Sequence, residues 1–271
     1  MRHILHNILW NVFYYLYIKG GFYLHLVMIT AFGVGMATVI GAIIGFLVKN
    51  IPHKFEDTIL GFAAGIMLCA SILGLILPSI EEGNNILLTS LGIIAGALFL
   101  SLIDFFTPHI HSMAGLKEND VVDIKNLSNV FLFVLAIAIH NFPEGMAAGV
   151  SFGTGDISKA YSVAIGIALQ NIPEGMIIIS PLLLAGVSTK KTFIIALVTG
   201  LVEVIGTFIG YFAASFSMVL LPFILAFAGG TMIYVISDEM IPETHSHGYE
   251  KLATYALIFG FVVMLCLDYF I

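Results

Sequence analysis

His140 and Glu144 stand four residues apart, and thirty positions later Gln170 and Glu174 repeat the spacing. On a helix, side chains four apart stack on one face, so each pair presents an imidazole or amide beside a carboxylate. The surrounding phrases match as well: His140-Asn141-Phe142-Pro143-Glu144-Gly145 and Gln170-Asn171-Ile172-Pro173-Glu174-Gly175. The chemistry on offer is cation binding. Imidazole, carboxylate and amide oxygens suit divalent Zn, Fe, Mn or Cd, whereas the thiolate or thioether cluster that Cu(I) favours is missing. Pro143 and Pro173 each remove an amide hydrogen bond and disturb the carbonyl four residues earlier, on Ile139 and Leu169, so a kink is expected beside each pair. Bridging by Glu144 and Glu174 would let two ions sit side by side.

These polar phrases lie in an unusually apolar chain. Of 271 residues, 59% are hydrophobic and 10% charged, with mean hydropathy +1.05, against the ~25% charged residues of a soluble domain. The composition predicts an all-α integral membrane protein. Spans of ~20 residues joined by short connections allow about eight helices, and long continuous apolar runs favour helices over barrel strands. Breaks in the runs place the spans at 25–48, 57–80, 86–106, 128–152, 158–184, 191–214, 219–240 and 250–271. Residues 25–271 then form one transmembrane domain. Residues 1–24 read as an N-terminal segment whose helix, rich in Trp10, Tyr14, Tyr15 and Tyr17, suits the membrane interface better than a ninth span. No small-residue cleavage site marks a signal peptide.

The basic residues orient the bundle. Lys49, Lys54, Lys117, Lys125, Lys190, Lys191 and Lys251 fall in loops after odd-numbered spans, against Arg2, Lys19 and Lys159 on the other face. The positive-inside bias puts the odd loops in the cytoplasm and both termini outside it, as expected for a multi-pass protein of the plasma or inner membrane. The net charge of −7 spread over so few charged groups gives no sign of a nucleic-acid partner. Cys69 and Cys266, both in apolar spans, read as packed side chains and carry no redox inference.

Depth follows by counting. At 1.5 Å per residue, His140 lies ~18 Å along the fourth span from Ser128, and Gln170 a similar ~18 Å along the fifth from Ser158, near the middle of a ~30 Å core. Glu203, eleven residues after Thr192, reaches the same level from the other side. A carboxylate at this depth costs roughly 2.5–3.5 kcal/mol on insertion scales, so three at one level imply use. Because the fourth and fifth spans run antiparallel, their matching phrases imply a pseudo-two-fold axis in the membrane plane.

These residues carry a resemblance. The paired Pro-Glu-Gly phrases, Glu203, and the stretch from Gly229-Gly230-Thr231-Met232 through Ser237-Asp238-Glu239-Met240-Ile241-Pro242-Glu243 are similar to those of ZIP (Zrt/Irt-like) divalent metal transporters, in particular the bacterial GufA-like branch. The resemblance covers nearly all eight spans. It implies one metal position formed by His140, Glu144, Gln170 and Glu174, and an adjoining one formed by Asn141, Glu144, Asn171, Glu174 and Glu203. It also implies an inverted repeat relating spans one to three with six to eight, and a homodimer. Gln170 departs from the His found in many family members, which weakens the expected affinity for zinc.

A second group is expected at the cytoplasmic ends: Asp104, His109 and His111 around the end of span three, with Glu239, Glu243, His245 and His247 around the end of span seven, where a departing ion could be received. Metal would be cargo here and not a catalytic cofactor. The favoured activity is alternating-access transport of zinc, with iron, manganese or cadmium as further cargo, toward the cytoplasm. An intramembrane metal hydrolase is the enzyme alternative, since a buried metal-bound water can be a nucleophile, but no His-Glu-x-x-His helix is present. A metal sensor is disfavoured because the chain shows no output domain.

Overall fold

The computed structural model describes residues 20–48, 51–106, 127–184, 186–216 and 219–271. Within them the chain is helical, without strands, and forms eight helices: α1 (Gly20–Val48), α2 (His53–Gly83), α3 (Ile86–Phe106), α4 (Leu127–Ser151), α5 (Ile157–Leu184), α6 (Thr189–Phe216), α7 (Leu221–Thr244) and α8 (Glu250–Phe270). All but α4 have a described stretch long and apolar enough to cross a membrane, and α4, at 25 residues, has the length to do so. The chain is a multi-pass membrane protein. The expected interfacial helix falls largely on residues 1–19, outside the described residues, as do His109 and His111.

The helices pack in pairs that respect a two-fold relation. The most extensive contacts are α4 on α6, α8 on α2, α7 on α3 and α5 on α1, with α1 against α6 and α4 against α5. Exchanging α1–α3 for α6–α8 and α4 for α5 returns the same set of pairs, which is the inverted repeat. The sequence carries it too. Thr38-Val39-Ile40-Gly41 through Gly45 on α1 recurs as Glu203-Val204-Ile205-Gly206 through Gly210 on α6, at a separation of 165 residues. With a shift of one residue, Gly96 through Asp104 and Phe106 on α3 recurs as Gly260 through Asp268 and Phe270 on α8.

Small residues set the spacing between paired helices. A methyl group on Gly145 would collide with the backbone carbonyl of Glu203, one on Gly149 with that of Thr207, and one on Gly206 with that of Phe142. The mirror half does the same: Gly175 faces the carbonyl of Thr38, and Gly41 that of Ile172. Backbones therefore touch where lipid offers no hydrophobic drive and close van der Waals contact must hold the helices together. Gly35 and Gly200, equivalent positions in the repeat, each meet the other's carbonyl, so the pseudo-two-fold axis passes between them.

Two π segments interrupt α-helical geometry, Ile72–Ile76 in α2 and Ile236–Met240 in α7. They occupy equivalent places in the repeat, and each is followed two residues later by a proline, Pro78 or Pro242. A proline removes the hydrogen bond to the carbonyl four residues earlier and crowds it. Those carbonyls belong to Gly74 and Asp238, both inside the π segments, and the added residue per turn relieves the crowding. By contrast, α4 continues through Pro143, and α5 through Pro173 as far as a break at Ile178.

Candidate metal centre

The centre is built from four helices. Gly145 and Gly175 hold α4 against α6 and α5 against α1, which turns the polar faces of α4 and α5 inward toward Glu203 of α6 and Thr38 of α1. Glu203 is fully buried and Glu144 is 1% exposed. Around Glu203 three donors converge: the Asn141 amide and the Thr38 hydroxyl donate to Oε1, and the Asn171 amide donates to Oε2. The two asparagines are equivalent members of the repeated phrase, and Thr38 is the repeat equivalent of Glu203 itself. A residue that bonds its own equivalent lies on the pseudo-two-fold axis.

The two polar pairs, His140 with Glu144 on α4 and Gln170 with Glu174 on α5, form two claws that meet across that axis without full symmetry. Gln170 Nε2 donates to Glu144 Oε1 at 2.8 Å. On the other claw, His140 Nε2 makes an ion-pair contact with Glu239 Oε2. The repeat equivalent of Glu239 is Leu75, so only one half of the molecule can make this contact. After these bonds, Glu144 Oε2, Gln170 Oε1, Asn171 Oδ1 and Glu174 Oε1 remain buried without a hydrogen-bond partner. All four are acceptor oxygens. A buried polar atom left unpaired costs ~1–3 kcal/mol, more if charged, and a cluster of acceptors alone is satisfied by a cation.

The sequence-predicted residues separate into two groups. His140, Asn141, Glu144, Gln170, Asn171, Glu174 and Glu203 come together as a single polar island. The second group divides. Glu239, placed with the loop histidines in the sequence reading, stands against His140 instead, because α7 runs to Thr244 and its π segment turns Glu239 inward. His245 Nδ1 is occupied by the Ile241 carbonyl at 2.8 Å and the Thr244 hydroxyl at 3.0 Å, while His247 Nδ1 meets Asp57 Oδ1 at 2.9 Å. Asp104 lies in α3. Among the described residues no group of three or more His, Cys, Asp or Glu side chains stands in metal-holding geometry; amide hydrogen bonds occupy Glu203 and one oxygen of Glu144.

One participant, Thr38, was not foreseen from the sequence, and another, Glu239, was expected in the exit group and stands at the centre instead. Thr38 was visible in the repeat at 165 residues, where it aligns with Glu203. Glu239 was legible as a carboxylate in an apolar helix but was assigned to its end.

With this geometry established, comparison with known proteins is decisive. Residues 113–268 match the family profile described as ZIP Zinc transporter. The chain is 38% identical to zinc transporter GufA of Myxococcus xanthus over 242 residues, covering 86% of this chain and 94% of that protein. It belongs to the ZIP family. Zinc transporter ZIPB of Bordetella bronchiseptica is 38% identical over 240 residues, 86% of this chain and 77% of that protein. Zinc transporter ZupT of Chlorobaculum parvum is 38% identical over 246 residues, 85% and 91% respectively. ZIP membership makes the chain a member of a transporter family and not an enzyme, with metal as cargo and not a catalytic cofactor. The intramembrane hydrolase finds no support in it.

Proposed function

We propose that this protein carries divalent transition-metal ions, zinc foremost and iron, manganese or cadmium besides, toward the cytoplasm through the centre formed by His140, Asn141, Glu144, Gln170, Asn171, Glu174 and Glu203. The observation that carries this reading is the set of four buried acceptor oxygens without partners, on both claws and at one level. Glu144 and Glu174 each project from a different helix, so an ion that displaces the Gln170 amide from Glu144 meets a carboxylate on either side. Glu203, already bonded by Asn141 and Asn171, supplies a third charge for a neighbouring ion. The zinc-transporter names of the relatives support zinc as the first cargo.

Direction rests on asymmetry. Asp238 and Glu239 occupy the π segment of α7 where the equivalent residues of α2 are Gly74 and Leu75, so carboxylates lead away from the centre toward one face only. That face bears the lysine-rich loops, which the positive-inside bias puts in the cytoplasm of a bacterial inner or plasma membrane, with both termini outside. Alternating access requires the close glycine contacts of α4 with α6 and α5 with α1 to shift against each other. The remaining cluster residues, Asp104, His109, His111, Glu243, His245 and His247, receive the ion beyond Glu239. The homodimer belongs to the same proposal: Leu87, Leu91, Ile94, Leu98 and Leu102 form an outward stripe on α3 that a second copy could cover.

The test is reconstitution of the purified protein in liposomes holding a trapped metal indicator. Zinc applied outside is expected to enter down its gradient; a wild-type protein that moves no divalent metal under any gradient overturns the proposal. Gln170 also yields a prediction. In Gln170→His the amide donor to Glu144 becomes an imidazole, a stronger zinc ligand, so zinc is expected to compete ~10-fold better against manganese than in wild type, within the range by which single ligand-environment changes act. An unchanged competition ratio would remove Gln170 from the ion's contacts.

A further inference from the structure

Helical threonines in this chain commonly turn the hydroxyl back on their own helix. Thr58, Thr199, Thr207 and Thr231 each donate to a carbonyl three or four residues earlier, the usual local bond of such a group. Thr38, 1% exposed in α1, instead donates across to Glu203 Oε1 on α6. The carbonyl it passes over, Val34 O, lies four residues earlier and takes the Asn171 amide at 3.4 Å. The carbonyl of Thr38 itself is where Gly175 brings α5 against α1, a contact too close for a methyl group. The hydroxyl therefore stands on backbone that is fixed relative to the α5 claw.

As a carboxylate, Glu203 accepts and does not donate, so the amides of Asn141 and Asn171 both turn their NH2 groups toward it. Asn171 Oδ1 is thereby directed away from Glu203, and it is one of the buried acceptors left without a partner. The orientation of that oxygen depends on where the Glu203 carboxylate is held. Thr38 shares Oε1 with Asn141, so loss of the hydroxyl leaves this oxygen with one donor and removes the bond from α1. The inverted repeat shows why a hydroxyl stands here. The equivalent of Thr38 is Glu203 itself, 165 residues on, and a second carboxylate facing it across the axis would bring a like charge where a donor is needed.

We infer that Thr38 is a positioning residue for the transported ion: its hydroxyl locks Glu203 in the orientation that turns Asn171 Oδ1 toward the ion, and so sets the affinity of the centre. This role rests on the transport reading of that centre. Thr38 does not itself touch the ion. Removing the hydroxyl leaves every ligand present but unlocks Glu203 and, through it, Asn171, so binding weakens while the step that carries the ion across keeps its rate.

Zinc uptake into liposomes, measured against zinc concentration and per folded protein, tests it. Thr38→Val keeps the shape and removes the hydroxyl, and is expected to raise the KM ~10-fold, as loss of an orienting partner does at metal sites, with the maximal rate near that of wild type. Thr38→Ser keeps the hydroxyl and is expected to keep the wild-type KM; a residue that serves packing alone would show the reverse, tolerating Val and suffering from Ser. Should Thr38→Val fail to fold, Thr38→Ala against Thr38→Ser gives the same comparison, since the two differ only in the hydroxyl. Equilibrium zinc binding to the full chain in detergent, counted as the binding that Glu144→Ala/Glu174→Ala abolishes, separates the positioning role from the transport reading. A wild-type protein that binds zinc without moving it overturns transport alone, and the ~10-fold weaker binding expected of Thr38→Val then carries or sinks the positioning role. Wild-type KM and affinity in Thr38→Val, or in Thr38→Ala, overturn the positioning role and leave transport standing. Wild type that neither binds nor moves zinc overturns both.

Discussion

Glu203→Ala is expected to cut zinc uptake into liposomes at least ~100-fold, the upper end of what losing one metal-supporting group causes, and to lower the thermal midpoint of the protein in the same experiment. Both follow from one geometry. Glu203 accepts from Asn141, Asn171 and Thr38 on three different helices, so removing it leaves three buried donors facing one another, at ~1–3 kcal/mol for each that water does not reach. Its negative charge is also the one on the pseudo-two-fold axis, adjoining both claws. Uptake is read at equal inserted protein and stability by thermal unfolding in detergent. Wild-type uptake in Glu203→Ala would exclude it from the path of the ion.

Gly145→Leu is expected to be nearly as damaging, although the residue carries no chemistry. Its added side chain runs into the carbonyl of Glu203, a backbone atom that cannot rotate away. Overpacking of this kind costs ~1–3 kcal/mol, and relief by separating α4 from α6 displaces Glu203 from Asn141. Loss of folded yield together with loss of uptake is the expected result. Gly33→Leu is the companion measurement: a Cβ there meets nothing within 4 Å, so its stability should stay within ~0.5 kcal/mol of wild type. Equal damage from both substitutions would show that glycine content and not the α4–α6 contact matters.

The claws were legible because their signal is local. A spacing of four, a helix and a count of 1.5 Å per residue suffice to bring His140, Glu144, Gln170, Glu174 and Glu203 to one depth, and the structure gathers them. What sequence reading lost depends on partners distant in the chain. Thr38 is an ordinary threonine until the recurrence of Val-Ile-Gly sets it opposite Glu203. Glu239 lies near the end of an apolar run, and only the π segment ahead of Pro242, with the extension of α7 to Thr244, turns it toward His140. Asp57 reads as the polar start of a span, since nothing local announces that His247 will cover it from the far end of α7. The inverted repeat lay open in the sequence at 165 residues, but it is spread over glycines whose purpose emerges only when their partners' carbonyls are in place.

In the transport proposed above, the two claws jointly hold the ion. The most direct measurement is zinc uptake by liposomes carrying the Glu144→Ala/Glu174→Ala double variant, with insertion and folding matched to wild type by thermal unfolding. Uptake no faster than that of protein-free liposomes is expected. Uptake at the wild-type rate would contradict it, and the repeated phrase would then serve only to pack helices.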